Sequence, residues 1–279
     1  MCYKPFLIDF CDCASLYLAR EIKHFLHAGK YRHAVRMLPY FLYTLTEDRY
    51  YAQRSSANLV VSPVDQRALA RTAGSKSKVY TILNGVTLPD TVSGSIEKLP
   101  NRLMFSGNMD FPPNYTATLW FLDNVFALVL EEIPDAHFII AGANPPTFIK
   151  ERASSNVEVT GYVADLNYEI ARSALYLAPL KTGSGFKNKV VEAVANHTYL
   201  VATSVAVEFL DPYTRSLIAV TDSPREMADA IIRLLRDPAD REARWSKLHE
   251  HIRATFTWSR RTDELLEVVD ASIGSKQKT

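Results

Sequence analysis

The sequence predicts an α/β protein in which helices cover both faces of a parallel sheet. From Arg102 onward, short apolar segments alternate with longer amphipathic ones, which is the pattern of repeated βαβ units. Glycines follow several predicted strands, at Gly107, Gly142, Gly161 and Gly183. Ligands of such sheets bind at the carboxyl ends of the strands, so we expect these glycines to cluster along one edge. With 279 residues, 47% apolar and 23% charged, the chain has the composition of a globular protein with one large or two modest domains.

The first part of the chain, residues 1–95, predicts a partial N-terminal α/β domain that ends in a linker. Its expected elements are strands at 6–10, 58–61 and 79–83, a helical region at 15–55 that Pro39 breaks or kinks, and a short helix at 63–73. Residues 87–100 contain Pro89, Gly94 and Pro100 and no apolar periodicity, which is typical of an interdomain linker.

Residues 96–255 predict a second, complete domain in which strands and helices alternate. The expected strands are at 103–105, 137–141, 157–160, 174–180, 199–202 and 217–220. The expected helices are at 114–132, 165–173, 224–236 and 238–254, with one more after the glycine-rich turn that follows residue 182. Asn114 is the expected N-cap of the first of these helices. Residues 256–279 predict a closing amphipathic helix at 260–271 and a tail that frays from Gly274.

The segment with the clearest chemistry is residues 183–193, which read Gly-Ser-Gly-Phe-Lys-Asn-Lys-Val-Val-Glu-Ala. Glycines let the backbone approach a ligand closely, and the N-terminus of the following helix offers N–H groups and a positive dipole end. Lys187 and Lys189 add two cations there, and Glu192 adds a carboxylate one helical turn further on. The pattern suits a phosphate attached to a group with hydroxyls. The alternative is a solvated helix face on which Lys189 pairs with Glu192.

These residues resemble the donor-site signature of the family 4 (group 1) retaining glycosyltransferases, which have the GT-B fold. Further segments resemble segments of that family and follow one another in the family's order. They are residues 84–86, 106–114, 133–136, 159–165, 201–203 and 256–258. The resemblance covers residues 55–272 well and residues 5–55 loosely. It implies a complete C-terminal Rossmann-like donor domain, with a parallel sheet and helices on both faces, and a partial N-terminal α/β domain on the acceptor side.

The resemblance also implies roles for individual residues. Lys187 and Lys189 would hold and stabilise the leaving diphosphate, in a reaction that retains the anomeric configuration and uses neither a metal nor another cofactor. Glu192 would accept hydrogen bonds from the ribose. The N–H groups that complete the cradle would be those of Gly107, Asn108, Gly183, Ser184 and Gly185, and the segment bordering the base would be Tyr162 and Val163. The residues alone leave open an ordinary βα turn at residues 107–108 and plain packing at residue 162.

The chain departs from the family in two places. Ser184 stands where many members have a glutamate that faces the donor sugar. The sequence also begins in what resembles the last part of the N-terminal domain, so we expect the first part of that domain to be missing. The implied function is transfer of a sugar from a nucleotide-diphosphate sugar to a glycan or lipid-linked acceptor in surface polysaccharide assembly. The alternatives are a non-catalytic nucleotide-sugar-binding remnant of such an enzyme and, less favoured, a sugar-nucleotide epimerase, for which no acid/base constellation is found.

Charge and cysteine content exclude several other classes. A formal net charge of +1 argues against a nucleic-acid partner. Three cysteines, all within the first thirteen residues, and seven scattered histidines indicate no disulfide framework and no metal site, so we expect a reduced, cytoplasmic setting. Residues 20–43 interleave basic and aromatic side chains, which suits either a domain surface or peripheral contact with anionic lipid at the inner membrane face. Nothing in the sequence indicates an oligomeric state.

Overall fold

The computed structural model of the chain describes residues 5–88 and 96–274. These residues form two compact units. The first contains residues 5–85, 182–186 and 256–274, and the second contains residues 86–88, 96–181 and 187–255. Most of the predicted linker (residues 89–95) and the predicted frayed tail beyond residue 274 lie outside the described residues.

The first unit is built on a three-stranded parallel sheet. Its strands are β1 (Leu7–Asp9), β2 (Ala57–Val60) and β3 (Val79–Thr81), in the order β1-β2-β3. Its helices are α1 (Ala14–His27), α2 (Tyr31–Arg54), α3 (Pro63–Ala73) and the closing helix α12 (Trp258–Gly274). The side chain of Ser62 accepts the Asp65 N–H and Pro63 occupies the first helical turn, which is why α3 begins where the sequence predicts.

The helical region of the first unit is divided, but not at Pro39. A turn at residues 28–30 separates α1 from α2, and Gly29 adopts a φ of 69° that suits glycine. Helix α2 then continues through Pro39. The predicted break at that residue is therefore wrong, because the helices are separated at residues 28–30 instead, and the alternative of a kink at Pro39 stays a prediction.

The second unit holds a six-stranded parallel sheet. Its strands are β4 (Leu99–Ser106), β5 (His137–Ala141), β6 (Val157–Gly161), β7 (Ser173–Ala178), β8 (Tyr199–Ala202) and β9 (Ala219–Val220). Their order is β6-β5-β4-β7-β8-β9. Strands β7 and β8 are buried along their whole length, as expected for a parallel sheet with both faces covered. The chain order reverses between β4 and β7, so this pair is the topological switch point at which such sheets bind ligands.

The remaining helices all belong to the second unit. They are α4 (Pro112–Phe121), α5 (Ala127–Glu132), α6 (Thr147–Lys150), α7 (Leu166–Ala171), α8 (Asn188–Ala195), α9 (Pro212–Ser216), α10 (Pro224–Arg236) and α11 (Pro238–Thr255). A π-helical segment, Leu122–Phe126, joins α4 to α5. Among the residues described, we find no helix that is both long and apolar enough to span a bilayer.

One predicted boundary of the second unit is corrected. Asn114 was expected to cap α4, but the helix begins two residues earlier, and Phe111 occupies the N-cap position. Pro112 and Pro113 occupy the first turn, where proline is favoured because its fixed φ is helical and its missing N–H has no helical partner. Asn114 is consequently inside the helix, and its side chain is available for another contact.

Candidate functional site

The carboxyl ends of β4 and β7 are tied together by a buried hydrogen bond. The hydroxyl oxygens of Ser106 and Tyr176 are 2.8 Å apart, and the Ser106 N–H also donates to the Tyr176 hydroxyl at 3.2 Å. Tyr176 is fully buried. Burial raises the pKa of Tyr176 far above its usual value, so the phenol stays protonated and holds the switch point in one arrangement.

Three glycines meet at this edge of the sheet. The Gly107 N–H donates to the Ala141 oxygen at 3.0 Å, and the Gly142 N–H donates to the Gly161 oxygen at 2.8 Å. A Cβ added to Gly142 would lie 1.8 Å from the Gly107 oxygen, and its φ of +138° disfavours other residues. The predicted cluster of Gly107, Gly142 and Gly161 is confirmed. The fourth glycine of that prediction, Gly183, belongs to the first unit.

The Lys189 side chain reaches the same edge from α8. Its Nζ donates to the Asn114 Oδ1 at 2.6 Å, and the Asn114 amide donates to the Asn108 oxygen at 2.9 Å. The Nζ also lies 4.5 Å from the centre of the Phe105 ring, and 2.9 Å from where a Cβ on Gly107 would be. The structure thus brings Gly107, Asn108 and Lys189 together, with Asn114 as the link. Sequence reasoning missed this role of Asn114, whose only signal was its place in the family-like segment 106–114.

The charges of Lys189 and Glu192 are shifted by their surroundings. Burial lowers the pKa of Lys189 to about 7, and the attraction of Glu192 acts against this shift. Burial raises the pKa of Glu192, and Lys189 opposes that shift in turn. At neutral pH the Lys189 amine therefore exchanges readily between its two forms, and a bound anion would favour the charged one. These surroundings differ from the solvated helix face that the sequence left open.

Lys187 has a different environment. Its side chain is 6% exposed, and its Nζ lies 3.1 Å from a carboxylate oxygen of Glu208. Lys187 also occupies the N-cap position of α8. Its charge is therefore balanced inside the second unit, and its predicted contact with a diphosphate stays a prediction. Glu208 follows a short 3₁₀ turn at Val205–Val207, where no local pattern indicated a charged partner.

The glycine-rich turn at residues 182–186 packs within the first unit. Gly183 and Gly185 adopt φ values of 117° and 72°, which favour glycine. The hydrogen bonds that hold the turn include Arg20 Nη1 to the Gly183 oxygen at 2.5 Å, the Ser184 hydroxyl to Asp12 Oδ2 at 3.2 Å, and the Gly185 N–H to Asp65 Oδ2 at 2.9 Å. The Gly185 N–H, which the resemblance assigns to a phosphate cradle, thus donates to a carboxylate in this structure, and the assigned roles of residues 183–185 stay predictions.

Tyr162 and Val163 lie away from the lysines. Both line a groove of about 580 Å³ that runs over β4, β5 and β6, and neither lysine contributes to its lining. The Tyr162 ring is 80% exposed, so it is free of the plain packing that the sequence left open. These residues follow β6, two strands from β4, which corresponds to roughly 10 Å across a sheet. Their predicted contact with a base remains untested.

Comparison with known proteins gives a family-model match within the second unit. Residues 100–237 match the family model described as glycosyl transferases group 1. A curated relative is the "uncharacterized 44.6 kDa protein in cps region" of Klebsiella pneumoniae, which is 27% identical over 117 residues, covering 38% of this chain and 30% of the relative. The match thus spans less than a third of that relative's own length.

Solved structures share the fold at low identity. HepE of Anabaena, in complex with UDP and glucose, has a TM-score of 0.67 at 16% identity, covering 96% of this chain and 72% of HepE. TarM of S. aureus, in complex with fondaparinux, alpha-GlcNAc-glycerol and UDP, has a TM-score of 0.65 at 15% identity, covering 78% of this chain and 44% of TarM. A sucrose-phosphate synthase of Thermosynechococcus elongatus has a TM-score of 0.64 at 16% identity, covering 84% of this chain and 62% of the synthase.

These neighbours show that the predicted α/β fold of the GT-B type is correct. The retaining mechanism, the assignment to family 4 and the missing first part of the N-terminal domain stay predictions. The group 1 match over residues 100–237 and the GT-B fold together support a glycosyltransferase.

Proposed function

We propose that this protein transfers a sugar from a nucleotide-diphosphate sugar to a glycan or lipid-linked acceptor, with retention of the anomeric configuration. The observation that carries the proposal is the position of Lys189. Its ammonium lies at the switch point of the sheet, beside the Gly107 backbone. Its hydrogen-bond partner is the neutral amide of Asn114 and not a carboxylate. A cation in a partly buried site is suited to a diphosphate leaving group, whose developing charge it stabilises.

The relatives support a nucleotide sugar as donor. HepE has been solved with UDP and glucose, and TarM with UDP and alpha-GlcNAc-glycerol. Because this chain spans less than half of TarM, the activity, the acceptor and the role in polysaccharide assembly are proposals for the whole protein. We place the reaction in the cytoplasm, where nucleotide sugars are made.

The proposed reaction needs no metal or other cofactor. Lys189, and the dipole of the N-terminus of α8, supply positive charge at the place where a metal would otherwise bridge a diphosphate. Activity should therefore be unchanged by EDTA, whereas a fall to background after chelation, restored by Mg²⁺ or Mn²⁺, would contradict this part of the proposal.

A second candidate, a non-catalytic nucleotide-sugar-binding protein, is favoured by two observations. Ser184 donates to Asp12 and offers no carboxylate toward a donor sugar. The ammonium of Lys187 is paired with the carboxylate of Glu208. Both candidates bind the donor, and only the first transfers its sugar to an acceptor and releases the nucleoside diphosphate.

Calorimetry with a panel of UDP-, GDP- and ADP-sugars tests the binding shared by both candidates. We expect one nucleotide to bind, and Lys189→Ala to weaken it by about 1.5–3 kcal/mol, the usual value of a hydrogen bond to a charged group. Lys150→Ala, at an exposed position of α6 in the same unit, serves as the matched control. Absence of binding by the unmodified chain at millimolar ligand would refute both candidates.

Turnover separates the two candidates. With the nucleotide identified, release of free UDP or its counterpart is measured with membrane extracts as the acceptor source, and the anomeric configuration of the product is read by NMR. A product with the donor's configuration supports the enzyme. Binding without turnover supports the non-catalytic protein, and an inverted product would refute retention.

A further inference from the structure

Three aromatic side chains, Phe111, Tyr115 and Phe148, form an aromatic shelf beside the loops that follow β4 and β5. Phe111 is the N-cap residue of α4, Tyr115 lies one turn further along that helix, and Phe148 belongs to α6. The rings of Tyr115 and Phe148 meet edge to face, with their centroids 5.4 Å apart and their planes at 84°. Phe111 and Phe148 are each 45% exposed. Large apolar side chains that are exposed as a group mark ligand-binding surfaces, whereas scattered ones do not.

The backbone around the aromatic shelf is restrained. A proline pair at residues 112–113 directly follows the first phenylalanine, and another at residues 145–146 lies just before the second. Proline fixes its own φ, so little conformational freedom is lost when a ligand covers the rings. The two loops are also joined, because the Met109 N–H donates to the Ala143 oxygen at 2.9 Å. The shelf is therefore preorganised for binding.

The aromatic shelf adjoins the group that positions Lys189. Tyr115 directly follows Asn114, whose side chain accepts from the Lys189 ammonium and donates to the Asn108 oxygen. Successive residues of a helix point about 100° apart, so the tyrosine and the asparagine leave the same turn of α4. All of these residues belong to the second unit. A molecule on the shelf would thus lie beside the place where we propose that the sugar is transferred.

The polar groups beside the aromatic shelf favour a neutral ligand with hydroxyls. In the two loop segments, residues 106–114 and 142–148, the one charged side chain is that of Asp110, which is exposed. Its carboxylate accepts hydrogen bonds, and the exposed amide of Asn108 can both donate and accept them. The C–H face of a pyranose suits an aromatic surface, and its hydroxyls suit these two polar groups. A nucleotide could also stack its base on the rings, but its phosphates would lie near the Asp110 carboxylate, and a neutral sugar meets no such repulsion.

We propose that the aromatic shelf binds a sugar ring of a neutral glycan and serves as the acceptor subsite of the enzyme. The pyranose lies with its C–H face on Phe111 and Phe148, and its hydroxyls reach Asp110 and Asn108. The role as an acceptor subsite rests on the proposed function, whereas the binding of a sugar does not. The shelf thereby narrows the acceptor to a molecule that presents a sugar, rather than a lipid alone.

Saturation-transfer NMR tests the binding with the methyl glycosides of glucose, galactose, mannose and N-acetylglucosamine at millimolar concentration. Saturation of the aromatic protons of the unmodified chain should reach the ring C–H groups of at least one glycoside. Phe148→Ala should weaken the binding of that glycoside about three- to tenfold, because covering a half-exposed ring contributes about half of the full burial of phenylalanine. Phe148→Trp should retain the binding. The control Tyr168→Ala removes a ring that is also 45% exposed from α7 of the same unit, and it should bind as the unmodified chain does.

Several results would overturn the proposal. They are the absence of saturation transfer to every glycoside of the panel, equal losses in Phe148→Ala and Tyr168→Ala, and undiminished glycoside binding by a folded Phe148→Ala. A fall of the same size in the affinity of Phe148→Ala for UDP or GDP, measured by calorimetry, would assign the shelf to a nucleobase instead.

The same measurements distinguish failure of this inference from failure of the proposed function. Glycoside binding that depends on Phe148 in a chain that binds no nucleotide would refute the proposed function and leave the sugar site in place. Nucleotide binding and sugar transfer by a chain that binds no glycoside would refute the sugar site alone.

Discussion

The Lys189 ammonium donates a 2.6 Å hydrogen bond to the side-chain oxygen of Asn114, a residue 75 positions earlier in the chain. The amide of Asn114 in turn holds the backbone oxygen of Asn108 at 2.9 Å. This relay positions the lysine over the loop that follows β4 without neutralising it. Lys187, only two residues away, is instead paired with the carboxylate of Glu208. Of the two lysines in the signature, Lys189 is therefore the one that we expect to respond to an added anion.

Removal of the Asn114 amide should weaken donor binding without unfolding the chain. Asn114→Ala deletes one hydrogen bond to a cation, and we expect the affinity for the nucleotide sugar to fall by about 1–3 kcal/mol. Calorimetry measures the change. The matched control is Asn124→Ala, an exposed asparagine whose amide donates to the Trp120 oxygen of the same helical segment. Equal affinities for the two variants would show that Asn114 does not position Lys189.

Donor binding should weaken as the pH rises. Burial holds the pKa of Lys189 at about 7 without ligand, and a bound diphosphate favours the charged form, so binding takes up a proton above pH 7. Affinity is therefore full below pH 7 and about tenfold weaker at pH 8 than at pH 6. Calorimetry with a nucleotide sugar suits this test because its diphosphate does not titrate in that range. The variant Lys189→Arg stays charged from pH 6 to pH 8, so it should bind the nucleotide sugar equally at both pH values. The same pH dependence in the unmodified chain and in Lys189→Arg would contradict the prediction.

A methyl group added at Gly142 should lower the free energy of unfolding more than one added at Gly161. Gly142→Ala would place a Cβ 1.8 Å from the Gly107 oxygen at a φ of +138°, so strain and overpacking together should cost about 2–6 kcal/mol of unfolding free energy. Gly161→Ala has a φ of +69° but no atom within 4 Å of the added group, and it should cost about 1–2 kcal/mol. Urea unfolding of both variants measures the difference, and similar midpoints would mean that the backbone contact relaxes easily.

Loss of the carboxylate beside Lys187 should destabilise the chain. Glu208→Gln leaves a cation that is 6% exposed without this carboxylate, and breaking such a buried pair costs about 3–5 kcal/mol. Asp229→Asn is the comparison, because its pair with Arg225 has side chains 53% and 67% exposed, where a salt bridge contributes about 0–1 kcal/mol. Thermal unfolding distinguishes the two. A small loss for Glu208→Gln would indicate that water reaches Lys187.

Local signals account for what the sequence predicted well. Helices α3 and α10 begin at Pro63 and Pro224 as predicted, because a serine cap precedes a proline in each. Strands β5, β7 and β8 are short apolar runs between turn residues, and β4, β5 and β6 carry the predicted glycine edge. The start of α4 was misplaced because Asn114 has the chemistry of a cap, while the two prolines before it begin the helix earlier.

Contacts between distant segments account for what the sequence did not predict. The Asn114 partner of Lys189, the Glu208 partner of Lys187 and the Asp65 partner of Gly185 lie 75, 21 and 120 positions away, and no local pattern encodes such pairings. The lysines themselves were identifiable because glycines, cations and a carboxylate share one short segment. Their environments differ because one faces an amide and the other a carboxylate, which only the folded chain reveals.

The first unit is assembled from stretches that lie at both ends of the chain. One of the two apolar clusters among its described residues joins Ala57 and Leu59 of β2 to Val268 and Leu265 of α12. Synthesis proceeds from the N-terminus, and domains fold as units when their sequence has emerged. Strand β2 must therefore wait for α12, which is made after the second unit is complete at residue 255. Loss of the seventeen-residue helix α12 would consequently harm a strand made about two hundred residues earlier, exposing one side of β2 on a nascent or shortened chain.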